Sequence, residues 1–207
     1  MTHSSKKIIS AHSFILPGYA NSEDEALITA IKQLDQQAPF RQMSTPRGFK
    51  MAAQITNCGD WGWVTDRRGY RYQATDPETG EAWPEMPDLF KNLAQKAASS
   101  CGFEGFEPDV CLINRYQPHA GMGLHQDKDE KDFSAPIVSV SLGVPAIFLF
   151  GGQQRRDRPE HYLLQHGDVV VWGGQDRLRF HGIQPIKLSH HPLTGQYRYN
   201  LTFRRAS

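Results

Sequence analysis

The run IVSVSLGVPAIFLF, residues 137–150, is the most apolar stretch of the chain, and its reading decides the fold. A membrane helix needs about 20 predominantly apolar residues, whereas this run is shorter and broken by serines, Gly143 and Pro145. It reads instead as two buried strands, Ile137–Leu142 and Ala146–Phe150, on either side of a turn. Working outward, the same texture recurs near Val110–Gln117, Tyr162–Gln165, Val169–Trp172 and Tyr197–Arg204. No long helical pattern separates these segments, which argues against a parallel α/β sheet and for an antiparallel sandwich or jelly roll.

Two helices flank this β region. Ser22 with Glu25 three residues on makes a capping-box pattern before Ala26, Leu27, Ala30, Ile31 and Leu34, and Pro39 ends the run. A second helix is predicted from about Asp88 to Cys101, with Leu89, Phe90, Leu93, Ala94 and Ala97 on one side and Gly102 as its stop. The expected fold class is therefore mainly β with flanking helices (α+β). No internal repeat, low-complexity tract or linker divides residues 1–207, so one domain is expected.

A hydrophobic content of 39% and a charged content of 22% fit a soluble globular protein. The net charge of +1 provides no global attraction to nucleic acid, so any such binding must come from local patches. Cys58, Cys101 and Cys111 form no CxxC and leave one unpaired, which points to a reducing compartment. The N-terminal apolar run is broken by Ser10, His12 and Ser13, a poor signal peptide. A cytoplasmic protein with no membrane association is expected.

In LHQDKDE, residues 124–130, His125, Asp127 and Asp129 stand at every second position. In an extended segment all three leave one face. With nine histidines in an aspartate-rich chain, His-x-Asp is weak by itself, and a second copy exists at His166-Gly167-Asp168. Two histidines and one carboxylate bind Fe(II) on one side of the metal and leave positions open. His125 and Asp127 supply two such ligands. The third is sought elsewhere: His181 in RFHGIQ is one candidate, and His166, in a turn-like HGD, a weaker one.

Alternation in YRYNLTFR, residues 197–204, puts Tyr199, Leu201 and Phe203 on one face and Arg198, Asn200, Thr202 and Arg204 on the other. The two arginines are about 20 Å apart along a strand rising about 3.3 Å per residue. They are either a solvated face or a clamp leaning in on the two ends of a small dicarboxylate, which the planar guanidinium fork suits. Trp63 and Tyr70 flank Arg67, Arg68 and Arg71, and a second basic cluster holds Arg155, Arg156 and Arg158. Aromatics interleaved with arginines suit stacked bases beside phosphates, although each cluster alone is more often a solvated face.

The blocks LINRYQPHAGMGLHQDKDE, APIVSVSLGVPAIFLFGG, HGDVVVWGG, HGIQP and YRYNLTFR closely resemble the bacterial AlkB family of Fe(II)- and 2-oxoglutarate-dependent dioxygenases. FRQMSTPRGFKMAAQITNCGDWGWVTDRRGYRY is similar to that family's nucleotide-recognition region. The resemblance spans about residues 40–205 and fades over 1–39. It implies a double-stranded β-helix over about 105–205, a recognition region over about 40–85, and an N-terminal extension and helix over 1–39. It implies iron held by His125, Asp127 and His181, with the His166 copy a structural turn. The co-substrate 2-oxoglutarate would be bound by Arg198 and Arg204 with Asn114, Tyr116 and Asn200 alongside, leaving one iron position for molecular oxygen. Trp63 would stack on a flipped base with His125 on its other side, Tyr70 would contact the backbone near the lesion, and Arg155 would approach the substrate. Asp129 would favour cationic lesions, since a carboxylate beside a charged base stabilises it.

The implied reaction is oxidative demethylation of N1-methyladenine- and N3-methylcytosine-type bases in single- or double-stranded nucleic acid, DNA or RNA. It releases formaldehyde, succinate and carbon dioxide. The departure from the family's pattern lies mainly at QQRRDRPEHY, residues 153–162. A monomer is expected. Two alternatives are weighed against this: the same chemistry on a protein side chain or metabolite, and a non-catalytic jelly-roll binding module. Only a working metal site would give a visible charge-transfer band with anaerobic Fe(II) and 2-oxoglutarate.

Overall fold

A computed structural model describes residues 6–207. In chain order the strands are β1 Lys7–Ser10, β2 Ser13–Leu16, β3 Gln54–Gly59, β4 Gly62–Asp66, β5 Gly69–Gln73, β6 Val110–Tyr116, β7 Met122–His125, β8 Ile137–Gly143, β9 Ala146–Phe150, β10 Glu160–Leu164, β11 Val169–Trp172, β12 His181–Ile183 and β13 Arg198–Arg204; the helices are α1 Asp24–Gln37 and α2 Asp88–Ser100. A seven-stranded sheet runs β1-β2-β11-β8-β13-β6-β3, a four-stranded sheet runs β10-β9-β12-β7, and β4-β5 form a separate hairpin. Every paired strand is antiparallel. The architecture is mainly β with flanking helices, two sheets facing each other as in a jelly roll.

Period-two alternation divides the large sheet into two environments. On one face Val138, Val140, Leu142, Leu201 and Phe203 join Leu27, Ile31, Leu34, Phe90, Leu93 and Ala97 of the helices in the largest core. Each such buried aliphatic or aromatic side chain contributes roughly 1.5–3 kcal/mol. On the other face Ile137, Val170 and Trp172 pack with Phe148, Phe150, Leu164 and Ile183 of the small sheet. A third cluster, Ile55, Val64, Trp83 and Leu112 among it, seats the β4-β5 hairpin on β3 and β6.

The helix ends separate what the sequence predicts from what folds. At the end of α2, Gly102 takes a left-handed φ of 86°. Its N–H reaches Ser99 O at 2.9 Å and that of Phe103 reaches Ala98 O at 3.0 Å. This is the glycine cap expected from the sequence. At the start of α1 the Ser22–Glu25 capping box does not form. Ser22 lies inside a 3-10 turn, Asn21–Glu23, and no side chain caps the helix. Asp24 instead accepts the Glu25 N–H at 2.6 Å and contacts His166 Nε2 at 3.0 Å, so a tertiary contact has displaced the local one.

Candidate functional site

The large sheet's inward face and the small sheet enclose a cavity of about 670 Å³. Its floor is built by two very short strands. β7 and β12 pair so that His125 and His181 stand directly opposite, their rings 4.4 Å apart. That pairing needs Gly182, where a Cβ would lie 2.6 Å from the Met122 carbonyl oxygen. We expect Gly182→Ala to push β12 off β7, lowering both thermal stability and bound iron. A variant with parent iron content and melting temperature would show that the strands tolerate the displacement.

Asp127 completes the group: its Oδ1 is 3.6 Å from His125 Nε2 and its Oδ2 3.6 Å from His181 Nε2. Among the described residues no other cluster of three or more His, Cys, Asp or Glu brings its ligand atoms within 4.8 Å of one another. The backbone has already chosen the tautomers. His125 Nδ1 faces Gly123 O at 2.9 Å, and His181 Nδ1 faces Arg179 O at 3.0 Å. A carbonyl only accepts, so Nδ1 carries the proton and each Nε2 lone pair points at the cluster. Burial first, then the neighbouring His125, push His181 down to about 4, and it stays neutral near pH 7. Burial would raise the Asp127 pKa, but the Arg204 guanidinium beside it holds it well below the usual carboxylate range. A carboxylate and two imidazoles on one side form a donor set that fits a divalent first-row metal with open positions.

The second copy of the motif does different work. His166 Nδ1 accepts the Gly143 N–H at 2.8 Å and its Nε2 is spent on Asp24. Asp168 accepts the N–H groups of Gly18 and Gln165, each at 2.8 Å. Gly167 between them has φ 81°. This is a turn, remote from the cluster.

β13 sends Arg198, Asn200, Thr202 and Arg204 into the cavity, and all four are buried, so this face is not solvated. The two arginines are not equivalent, as a symmetric clamp would require. Arg204 is engaged by Asp127, with Nη2 at 2.7 Å and Nε at 2.9 Å from Oδ2. Arg198 donates Nη2–H to Ser141 Oγ at 3.0 Å, while its buried Nε and Nη1 have no partner. Its guanidinium lies 5.2 Å from the Tyr116 ring centroid. Asn200 donates to Ser139 Oγ at 2.8 Å, and Asn114, 3.4 Å from Asn200 Oδ1, has an unpartnered Oδ1 of its own. A buried guanidinium with free N–H groups fits a carboxylate. Ser139 and Ser141, which interrupt the apolar run, therefore belong to this wall. The alternation in IVSVSL carries the signal for them.

At the mouth, β4 and β5 form a hairpin whose turn is Arg67-Arg68. Trp63 and Tyr70 stack with centroids 5.6 Å apart and an angle of 19°, so one indole face is covered by Tyr70. Asp66 pairs with Arg71 at 2.8 Å and Arg68 at 3.2 Å, which leaves the basic cluster less free than its sequence suggests. Those two arginines, Arg71 first, hold the half-buried Asp66 carboxyl well below the usual range. Arg155 is exposed at the rim, 6.0 Å above the Phe180 ring.

LHQDKDE is not one strand. β7 ends at His125 and residues 126–130 are irregular, because Gln126 donates to Leu178 O at 2.6 Å and Arg177 donates to Asp127 O at 2.8 Å. Asp127 is buried among the ligands while Asp129 is exposed, its Oδ2 accepting the Trp63 indole N–H at 2.9 Å.

Comparison with known proteins agrees with this geometry. Residues 13–204 match the family model described as 2OG-Fe(II) oxygenase superfamily. The chain is 56% identical, over 96% of its length and 92% of the relative's, to the Alpha-ketoglutarate-dependent dioxygenase AlkB of Escherichia coli. It is 34% identical, over 62% of its length and 32% of the relative's, to the Nucleic acid dioxygenase ALKBH1 of Mus musculus. The solved structure of OsALKBH1 superposes with a TM-score of 0.85 at 29% identity, covering 97% of this chain and all of that one.

Proposed function

The chain belongs to the 2OG-Fe(II) oxygenase superfamily, and on that premise we propose that it removes methyl groups oxidatively from cationic bases, N1-methyladenine and N3-methylcytosine, in single- or double-stranded nucleic acid. Enzymes of this family use Fe(II), 2-oxoglutarate and oxygen. The observation that carries the proposal is that one cavity joins three elements: the His125–Asp127–His181 cluster, the Arg198 guanidinium with its free Nε and Nη1, and an aromatic mouth at Trp63 and Tyr70.

The two Nε2 atoms and the Asp127 carboxylate would hold the metal. Arg198 would take one carboxylate of 2-oxoglutarate, with Ser141, Asn114, Tyr116 and Asn200 around it, and Arg204, which also holds Asp127, would face the other carboxylate. When bound, iron and 2-oxoglutarate would supply, with molecular oxygen as the oxidant, an oxidation that yields succinate, carbon dioxide and a hydroxylated methyl group, which leaves as formaldehyde. The protein positions the base and excludes water. Trp63 presents an aromatic face to a flipped base, with Tyr70 swinging off or stacking beyond it, and the Asp129 carboxylate at the indole edge favours positive charge nearby. Phe148 and Trp172 wall His181 off from solvent, their ring centroids 6.3 and 4.9 Å from it.

Mass spectrometry of methylated oligonucleotides incubated with iron, 2-oxoglutarate and air tests the proposal. An unchanged methyl mass alongside succinate production would redirect it to another substrate. Nucleic-acid affinity should also fall steeply with salt despite the net charge of +1. Replacing exposed Arg67 or Arg155 by alanine should flatten the slope of log K against log salt by about 0.7–0.9 per phosphate contact. Arg71, already paired with Asp66, should matter less. An unaltered slope in both variants would argue for a substrate other than nucleic acid.

We expect the protein to work as a monomer in the cytoplasm. Cys58, Cys101 and Cys111 are free and buried, which suits a reducing compartment. No helix among the described residues is long and apolar enough to cross a membrane.

A further inference from the structure

His166 and His191 belong to neither the metal cluster nor the mouth, yet they brace the wall that carries Arg198. Their rings stack with centroids 4.1 Å apart at an angle of 17°. Each uses Nδ1 as an acceptor, His166 from the Gly143 N–H at 2.8 Å and His191 from the Leu193 N–H at 3.3 Å. A backbone N–H only donates, so both rings are neutral with their hydrogen on Nε2. Each histidine serves one of the two strands around Arg198. His166 holds Gly143, the last residue of β8, which stands opposite Arg198 in the sheet. His191 anchors the turn that feeds β13. It exchanges N–H···O bonds of 2.8 Å with Gly195, and Tyr197 O accepts from Val144 N at 3.2 Å and from Thr194 Oγ1 at 2.8 Å. The fit is tight, since a Cβ on Gly143 would lie 2.3 Å from Thr194 Oγ1 and 2.4 Å from Tyr197 O. Ser141, which accepts from Arg198, is itself tied through its backbone to Gly167 and Asp168 beside His166.

A proton gained by either ring lands on Nδ1, where a donor then faces a donor. One backbone N–H loses its partner, and a charge enters the stack. The titratable groups facing the pair are Asp24 from α1 and His190 from the turn itself. Asp168 is engaged by the Gly18 and Gln165 N–H groups. Asp24 touches only the His166 Nε2, 3.0 Å away, which already carries a hydrogen, so it cannot restore the lost bond. Burial first, then His166, hold the His191 pKa below its ordinary value. The native state therefore takes up that proton later than the unfolded chain, and stability falls as the pH drops below about 6.5. We propose that His166 and His191 are positioning residues, an acid-sensitive brace that holds Gly143 against Arg198 and so sets the affinity of Arg198 for a carboxylate of 2-oxoglutarate. The consequence for 2-oxoglutarate rests on the role proposed above for Arg198; the brace does not.

Asparagine variants separate the two. His166→Asn and His191→Asn place an amide oxygen where Nδ1 stood, an acceptor that does not titrate. In the metal-free parent, protection of the Gly143 amide from hydrogen exchange, corrected for the intrinsic rate, should fall several-fold between about pH 7.5 and 5.5, on either side of the ordinary histidine value. In His166→Asn it should stay level. Over the same range the dissociation constant of 2-oxoglutarate for the anaerobic Fe(II) protein, read from its charge-transfer band, should rise several-fold more in the parent than in either asparagine variant. Protonation of the metal ligands weakens all three proteins alike and cancels in that ratio. His166→Ala, which offers Gly143 no acceptor, should bind 2-oxoglutarate several-fold more weakly already at the higher pH, with its iron content unchanged. If one asparagine variant fails to fold, the other carries the binding test. Gly143 protection that ignores pH in the parent or falls equally in His166→Asn would overturn the proposal, as would a pH dependence of 2-oxoglutarate binding that both asparagine variants share with the parent. Arg198→Ala binding 2-oxoglutarate as tightly as the parent would instead sink the role of Arg198, and the Gly143 amide would still decide the brace.

Discussion

His181→Ala is expected to lose iron while His166→Ala retains it, when both are reconstituted anaerobically and assayed for bound metal. Both residues are histidines in His-Gly contexts near the end of the chain, so sequence alone separates them weakly. The structure separates them by what their nitrogens do. His181 Nε2 points at Asp127, 3.6 Å away, with Nδ1 anchored on a backbone carbonyl. His166 has both nitrogens engaged, with Gly143 N and Asp24. Losing a mere outer partner of a metal site typically costs about 10–100-fold in affinity, so losing a proposed direct ligand should cost more, and 2-oxoglutarate turnover with it. His166→Ala should show the opposite profile. Leaving the Gly143 N–H unpaired costs roughly 1–3 kcal/mol, a lower melting temperature with normal iron content. Equal metal loss in the two variants would overturn the ligand assignment.

How far the site was legible in the sequence depended on whether its residues sat in regular structure. Arg198, Asn200, Thr202 and Arg204 were placed on one face by alternation, and the structure puts all four in the cavity. The same alternation marks Ser139 and Ser141 as a polar face of β8, and both accept from β13 side chains in the structure. The β4-β5 hairpin is marked less by its Arg67-Arg68 tip than by what flanks it, Asp66 before the turn and Gly69 after it at φ 106°. β7 and β12 were too short to show a period. Arg177 had no signal at all: its contact with Asp127 joins residues 50 positions apart, and no local pattern encodes that. The expected strand through LHQDKDE failed for the same reason, since tertiary bonds to Gln126 and Asp127 bend the chain just after His125.

That bend changes what Asp129 is expected to do, and two substitutions resolve it. As the next step of a straight strand, Asp129 would contribute only its charge to a cationic base. In the structure it also accepts the Trp63 indole N–H at 2.9 Å, and so sets the plane against which the base would lie. Asp129→Ala removes both contributions, whereas Asp129→Asn removes the charge and keeps an oxygen able to accept from the indole. A charge-assisted contact is worth about 1.5–3 kcal/mol when partly desolvated, or roughly 10- to 150-fold in rate. The exposure of Asp129 places the effect at the lower end. Demethylation of N1-methyladenine should therefore fall about tenfold in Asp129→Asn and further in Asp129→Ala. A neutral alkylated base such as N1-methylguanine should be spared in Asp129→Asn but not in Asp129→Ala. Both variants should still bind iron and consume 2-oxoglutarate in the absence of nucleic acid, because Asp127 alone of the two carboxylates touches the metal cluster. Formaldehyde and succinate measured in the same reactions read out all of these. Asp129→Asn acting on the cationic base at the parent rate would mean that the carboxylate serves Trp63 and not the lesion. Loss of iron in either variant would mean that Asp127 and Asp129 do not divide the work as their bonds indicate.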